Sequence, residues 1–296
     1  MRTREGRRGL LFICILAVVL LALLLLSFGL GRYAVPPAEV IRILLSRIFP
    51  VTPSWTEQME TAVISIRLPR ILLACMVGGC LSAAGTAYQS VFRNPMAAPD
   101  ILGASSGACF GAALAILLGF SRSGVTALAF VSSLLSVALV YAIARRAKGN
   151  PVTMLLLAGV MIGSLFSACT SYVKLVADPT NQLPAITYWL MGSLSGTRMN
   201  AVGFAAVPML IGLVPLLALR WRINLLTLDE EEARSMGVNT GRLRLVVILC
   251  ATVLTAACVD NISRNLLATE IPIGILTAFV GAPFFLYLMT RKEQLL

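Results

Sequence analysis

The side chains that could do chemistry are few, and their spacing excludes most of it. The chain carries 24 Lys and Arg, 13 Asp and Glu, seven Cys and no His. All seven cysteines (Cys14, Cys75, Cys80, Cys109, Cys169, Cys250 and Cys258) lie within apolar runs, and no CxxC occurs. No metal site and no cofactor is expected from such a set, and the cysteines read as small hydrophobes. A nucleotide-driven motor needs a GxxxxGK[ST] phosphate loop. The three lysines, Lys148, Lys174 and Lys292, lack the preceding glycines, so any ATPase must be another chain. An ion-coupled carrier would place acids in mid-span. Asp260 comes nearest, while Asp100, Asp178 and Glu270 sit at or beyond span edges. The most informative polar segment is Leu228–Gly237, with acids at Asp229, Glu230, Glu231 and Glu232. It reads as a short helix whose acids suit the dipole of its first turn and whose end falls at Gly237. Leu225, Leu228 and Met236 give it an apolar side, which suits docking to a cytoplasmic partner; a merely solvated loop is the alternative.

These residues must be positioned by membrane helices. Of 296 residues 58% are hydrophobic and 12% charged, with a mean hydropathy of +0.89, against about 25% charged in soluble domains. The reading is an all-α polytopic membrane protein forming a single transmembrane permease domain over residues 1–296. The net charge of +11 belongs to arginines and lysines flanking apolar spans, which points to topology and lipid rather than nucleic acid.

In chain order, spans are expected at 10–26, 62–92, 101–120, 125–144, 152–173 and 201–219. A short run at 245–259 and a last span at 271–289 follow, which makes about eight crossings. Residues 38–49 should form an amphipathic helix on the outer surface, and 186–194 a re-entrant or interfacial helix with Tyr188 and Trp189 at headgroup depth. Pro151 suits the first turn of a helix. The segment 224–244 is read as a polar cytoplasmic loop, and Asp260-Asn261 as an interruption after Val259. The basic clusters at 2–8, 145–148, 220–222, 242–244 and 291–292 all fall on one side, which puts both termini in the cytoplasm. The small residues of 67–107 (Gly78, Gly79, Ala83, Ala84, Gly85 and Ala87) mark a helix surrounded by other helices.

Three stretches resemble one family in the same order. They are Arg67-Leu68-Pro69-Arg70 through Gly85, Gln89, Asn94-Pro95-Met96-Ala97-Ala98-Pro99, Gly103 and Gly107; the loop Leu228–Gly237 with Val238-Asn239; and Glu270–Phe285. A weaker fourth is Asn150-Pro151 with Ala158-Gly159. Together they resemble the FecCD-type permeases, the membrane subunits of ABC importers for iron-siderophores, haem and vitamin B12. The resemblance implies a bacterial plasma-membrane permease without covalent chemistry of its own. Its partners would be cytoplasmic ABC ATPase subunits, an extracytoplasmic substrate-binding protein, and a second copy or a homologous permease. It implies that Leu228, Glu230, Ala233, Arg234 and Gly237 couple to the ATPase. Arg67, Arg70 and Arg264 would meet carboxylates of the binding protein, for which a guanidinium is suited; anchoring to lipid headgroups is the alternative. Gly85, Gln89, Gly107, Tyr188 and Gly192 are candidates for the translocation path, with plain helix packing as the alternative.

One departure is large. The family follows its coupling loop and next span with a proline-histidine motif and a further long span before the segment that Asp260–Arg264 resembles. Here Val259 passes directly to Asp260, so about two helical spans are missing. Both flanking segments would run outward, which preserves sidedness. A shortened, transport-inactive permease is therefore one alternative function, and an ion-coupled secondary transporter is another.

Overall fold

The computed structural model describes residues 2–263 apart from 30–32, 51, 195 and 229. Arg264, the Glu270–Phe285 motif and the last expected span therefore lie outside the described residues. Among those described, every regular element is helical. The chain divides into two compact units, Met1–Ala74 with Thr197–Val202, and Cys75–Gly196 with the residues from Gly203 onward.

The first unit opens with α1 (Arg2–Gly29). Its apolar side chains from Leu10 to Leu26 are almost all exposed. A helix whose apolar side chains are exposed on every side over this length has lipid as its solvent. After Pro36, α2 (Pro37–Leu45) starts with proline at its first position, where the missing N–H costs nothing. It buries Val40 and Ile43 in a cluster with Phe28, Val35, Val63 and Ile71, while Ile41, Leu45, Ile48 and Phe49 stay exposed. The polar side of α2 is tied to the next element. Arg42 pairs with Glu39 at 3.2 Å and Arg47 with Glu60 at 2.7 Å. Trp55 Nε1 donates to Glu60 at 3.2 Å. The short helix α3 (Glu57–Glu60), capped by the Thr56 hydroxyl, runs through a π-helical turn (Thr61–Arg67) into α4 (Leu68–Phe92). The wide turn sits just before Pro69, whose ring an unbroken α-helix would drive against the carbonyl four residues back.

In the second unit α5 (Ala104–Leu117), α6 (Arg122–Arg146) and α7 (Pro151–Val176) pack on one another, with α8 (Gln182–Met191) and α12 (Thr240–Ser263) against them. Between α6 and α7 the expected start holds: Asn150 Oδ1 accepts from Val152 N at 2.9 Å, with Pro151 next to it. The backbones of α5 and α6 approach so closely that a Cβ on Gly107 would stand 2.7 Å from both Ser132 O and Ser136 Cβ. Ser136 Oγ then donates to Gly103 O at 2.9 Å. Close approach at small residues with a hydroxyl bond across it is how helices hold together without a hydrophobic driving force. The remaining helices are α9 (Met199–Ala218), α10 (Arg220–Leu225) and α11 (Glu230–Ser235).

Six described helices are long and apolar enough to cross a membrane. Three sequence expectations change. The third span is shorter than expected: α5 has 14 residues, about 21 Å of helix against a hydrocarbon core of about 30 Å. It starts late because Asp100–Leu102 turn and Gly103 takes φ +71°. The run at 245–259 is longer than expected, since α12 has 24 residues. Asn239 Oδ1 caps it by accepting from Arg242 N at 3.0 Å, so residues 240–244 are its first turns rather than loop. Asp260-Asn261 does not interrupt it, because Asn261 Nδ2 bonds back to Ala257 O at 2.7 Å. Finally, Trp189 is no headgroup anchor: it is 2% exposed and packs with Ala108, Ala112, Ala115 and Ala129, whereas Tyr188 faces out.

Candidate functional site

The segment singled out for docking folds as a small capped unit. Leu225 and Leu226 at the end of α10 are buried, and Arg93 Nε donates to Leu226 O at 2.9 Å, so the turn after α4 holds the loop. In α11 Ala233 is fully buried while Leu228, Arg234 and Met236 are exposed. Gly237, at φ +76°, ends the helix. Its N–H bonds to Arg234 O at 2.9 Å and Val238 N–H to Ala233 O at 3.3 Å, the two bonds of a Schellman end. From Gly237 only Val238 and Asn239 lead into α12, so the loop is joined almost directly to a long, largely buried helix.

Three further hydrogen bonds fix α12 against α4 and the turn that follows α4. Tyr88, fully buried, lies 3.1 Å from Thr252 Oγ1. Thr252 Oγ1 also lies 2.7 Å from Ile248 O, to which only its hydroxyl can donate. The Tyr88 hydroxyl must therefore be the donor to Thr252. Thr255 Oγ1 donates to Pro99 O at 3.2 Å, and Cys258 Sγ to Val77 O at 3.7 Å. Nothing in the periodicity singled out Tyr88, Thr252 or Thr255. The Gly107–Gly111 and Ser132–Ser136 pairs, each four residues apart, were a readable signal of close packing.

The remaining candidates are scattered. Arg67 donates from Nη1 to Phe28 O and from Nη2 to Tyr33 O. Arg70 stands one turn further, partly buried. Gly85 is buried with Pro99 beside it, Gly107 is occupied by the α5–α6 contact, and Gly192 closes α8 at φ +69°. Gln89 and Tyr188 are exposed. The expected outer loop is ordered by Asp178, which accepts from Asn181 N at 2.8 Å and from Thr180 Oγ1 at 3.2 Å. Those donors, the Asn181 amide first, hold its carboxyl below the usual range.

The chain is a polytopic helical protein with a short helix, α11, between two helices long and apolar enough to cross a membrane. Its sequence matches the FecCD transport family over residues 19–260, and the chain belongs to that family of ABC importer permeases. It is 34% identical to the molybdate import system permease MolB of Haemophilus influenzae, covering 94% of this chain and 95% of that one. It is 33% identical to the Fe(3+)-citrate import system permease YfmE of Bacillus subtilis, covering 99% and 98%. A solved structure of a metal-chelate type ABC transporter in an inward-facing conformation is similar with a TM-score of 0.77 and 31% identity, over 94% of this chain and 98% of that one. The alignment with YfmE runs over 342 residues, so at least 46 of its positions have no counterpart among the 296 residues here. The family match itself stops at residue 260, beside the Val259–Asp260 junction.

Proposed function

We propose that this chain is the membrane-spanning subunit of a binding-protein-dependent importer for an iron(III)-siderophore or related metal chelate, driven by ATP hydrolysis in a separate subunit. The observation that carries the reading is α11, a capped helix with Ala233 buried beneath it and Leu228, Arg234 and Met236 facing out. Such a helix fits a cleft in an ATPase, and its covalent continuity with α12 gives the nucleotide cycle a lever on the bundle. Two copies, or this chain and a homologous permease, enclose one path, with a binding protein on the outer side meeting the segments that carry Arg67, Arg70 and Arg264. Nucleotide shifts the inward–outward equilibrium only as far as its partners bind the two states with different free energies. The relatives' names span molybdate, iron-citrate and cobalamin, so the substrate panel must include an oxyanion.

A second reading is favoured by the 46 or more unmatched positions and the end of the family match at residue 260. A helix pair that borders the path is absent, and the product assembles without transporting. Reconstitution in liposomes with the cognate ATPase and binding protein separates the two. ATP-dependent uptake of a labelled ferric-siderophore, ferric-citrate or molybdate, lost in Glu230→Arg/Arg234→Glu, supports the importer. A stable ATPase complex with no uptake of any panel member leaves the shortened, inactive subunit.

A further inference from the structure

Past the end of α9 the chain reads Arg220-Trp221-Arg222, and all three side chains are exposed. The 20 residues of α9 make about 30 Å of helix, the thickness of a hydrocarbon core, so α10 begins at headgroup depth. Only Leu219 separates the two helices, and the bonding runs on through it: Leu219 N donates to Pro215 O and Ile223 N to Leu219 O, both at 2.9 Å. The periodicity of α9 therefore continues into α10. Phe204, Val207, Ile211, Val214 and Leu217 are exposed at steps of three and four residues, and Trp221 takes the next step. It is 66% exposed, where the core residue Trp189 is 2% exposed. Among the described residues neither Arg220 nor Arg222 has an ion pair or a hydrogen bond. The helix that carries them is held to the protein by buried Ile223, Leu225 and Leu226 and by the bond from Arg93 Nε to Leu226 O.

We propose that this stretch is a contact site for anionic phospholipid, in which Arg220 and Arg222 take headgroup phosphates and Trp221 lies at the acyl boundary. The order along the helix is the order a leaflet presents. An apolar line meets acyl chains, an indole sits at the interface, and cations without a protein counter-charge reach the phosphates. Because α10 leads through Leu226 to α11, lipid bound here fixes the root of that helix. The site holds whatever the chain carries across the membrane.

The test uses the full chain in phosphatidylcholine vesicles, with Trp55→Phe and Trp189→Phe leaving Trp221 as the sole tryptophan. A small fraction of the lipid is brominated on its acyl chains, as phosphatidylglycerol in one sample and phosphatidylcholine in the other. The site predicts that phosphatidylglycerol quenches Trp221 as though enriched at least about fivefold, the scale of one basic residue at an anionic surface. Arg220→Gln/Arg222→Gln should bring the two lipids to parity, while Arg220→Lys/Arg222→Lys keeps the enrichment. Equal quenching in the wild type, no quenching by either lipid, or enrichment that the glutamine pair retains overturns the site, and so does its loss in the lysine pair. Inorganic phosphate, set against chloride of the same ionic strength, separates the two sources of the anion. Enrichment that phosphate alone abolishes assigns the arginines to a free anion and overturns the lipid. On the importer reading an ATPase subunit can be added as well, and quenching that it removes gives this face to the ATPase instead. Should the background with one tryptophan fail to purify as a monodisperse species, native mass spectrometry of the chain with its own tryptophans, released from mixed vesicles, gives the second readout. The glutamine pair must then retain less phosphatidylglycerol than the wild type, and equal retention overturns the site.

Discussion

At the scale of single residues, the buried hydroxyls divide the labour. Tyr88 donates to Thr252, and Thr252 donates to Ile248 O. Tyr88→Phe removes a donor and leaves Thr252 with its own bond made, so its cost should be near 1 kcal/mol. Thr252→Val removes the acceptor and strands a phenolic O–H in a fully buried place, at a cost of about 1–3 kcal/mol. Thermal unfolding in detergent should therefore rank Thr252→Val below Tyr88→Phe, and the reverse order would mean that Tyr88 is not the donor. In the loop before α12, Gly237 holds φ +76° with open space where a Cβ would stand. Gly237→Val should cost backbone strain alone, about 1–2 kcal/mol, and loosen α11. ATPase binding should weaken about tenfold while the unfolding temperature of the spans stays near that of the wild type.

At the scale of elements, what could be read from sequence depended on whether the cause was local. The starts of α2 and α7 were legible because Pro37 and Asn150-Pro151 impose them through their own backbones. The end of α11 was legible because glycine at 237 favours a left-handed turn. The extents of α5 and α12 were not. The first depends on the turn that Asp100 and Gly103 make together, the second on Asn239 and Asn261 turning their amides back on the helix. Likewise, composition placed Trp189 at the headgroups, while a row of alanines on α5 and α6 leaves room for it inside. Of the candidate positions, the short helix at Glu230–Ser235 was legible from its pattern of charge. The engagement of Arg67 was not, because both of its acceptors are backbone atoms more than 30 residues away. The α5–α6 contact makes a sharp prediction. Gly107→Val would push side-chain atoms into Ser132 O and Ser136 Cβ, 2.7 Å from where its Cβ must lie. Overpacking of that kind costs about 1–3 kcal/mol and should appear as a lower unfolding temperature, whereas Gly78→Ala, with nothing within 4 Å, should not lower it, since alanine is the better helix former inside α4.

At the scale of the whole molecule, the alignment with YfmE leaves at least 46 positions without counterpart, and the chain must still present its ends correctly. If the missing positions amount to two crossings, N- and C-terminal epitope tags should both be shielded from protease in right-side-out vesicles. Tags on opposite sides would mean that an odd number was lost. The 14 residues of α5 also have a bearing on how the chain is made. A segment of that length is too short to hold its place in the bilayer as it leaves the ribosome. The glycines that bring it against α6 mean that the two must partition from the translocon together, as a preassembled hairpin.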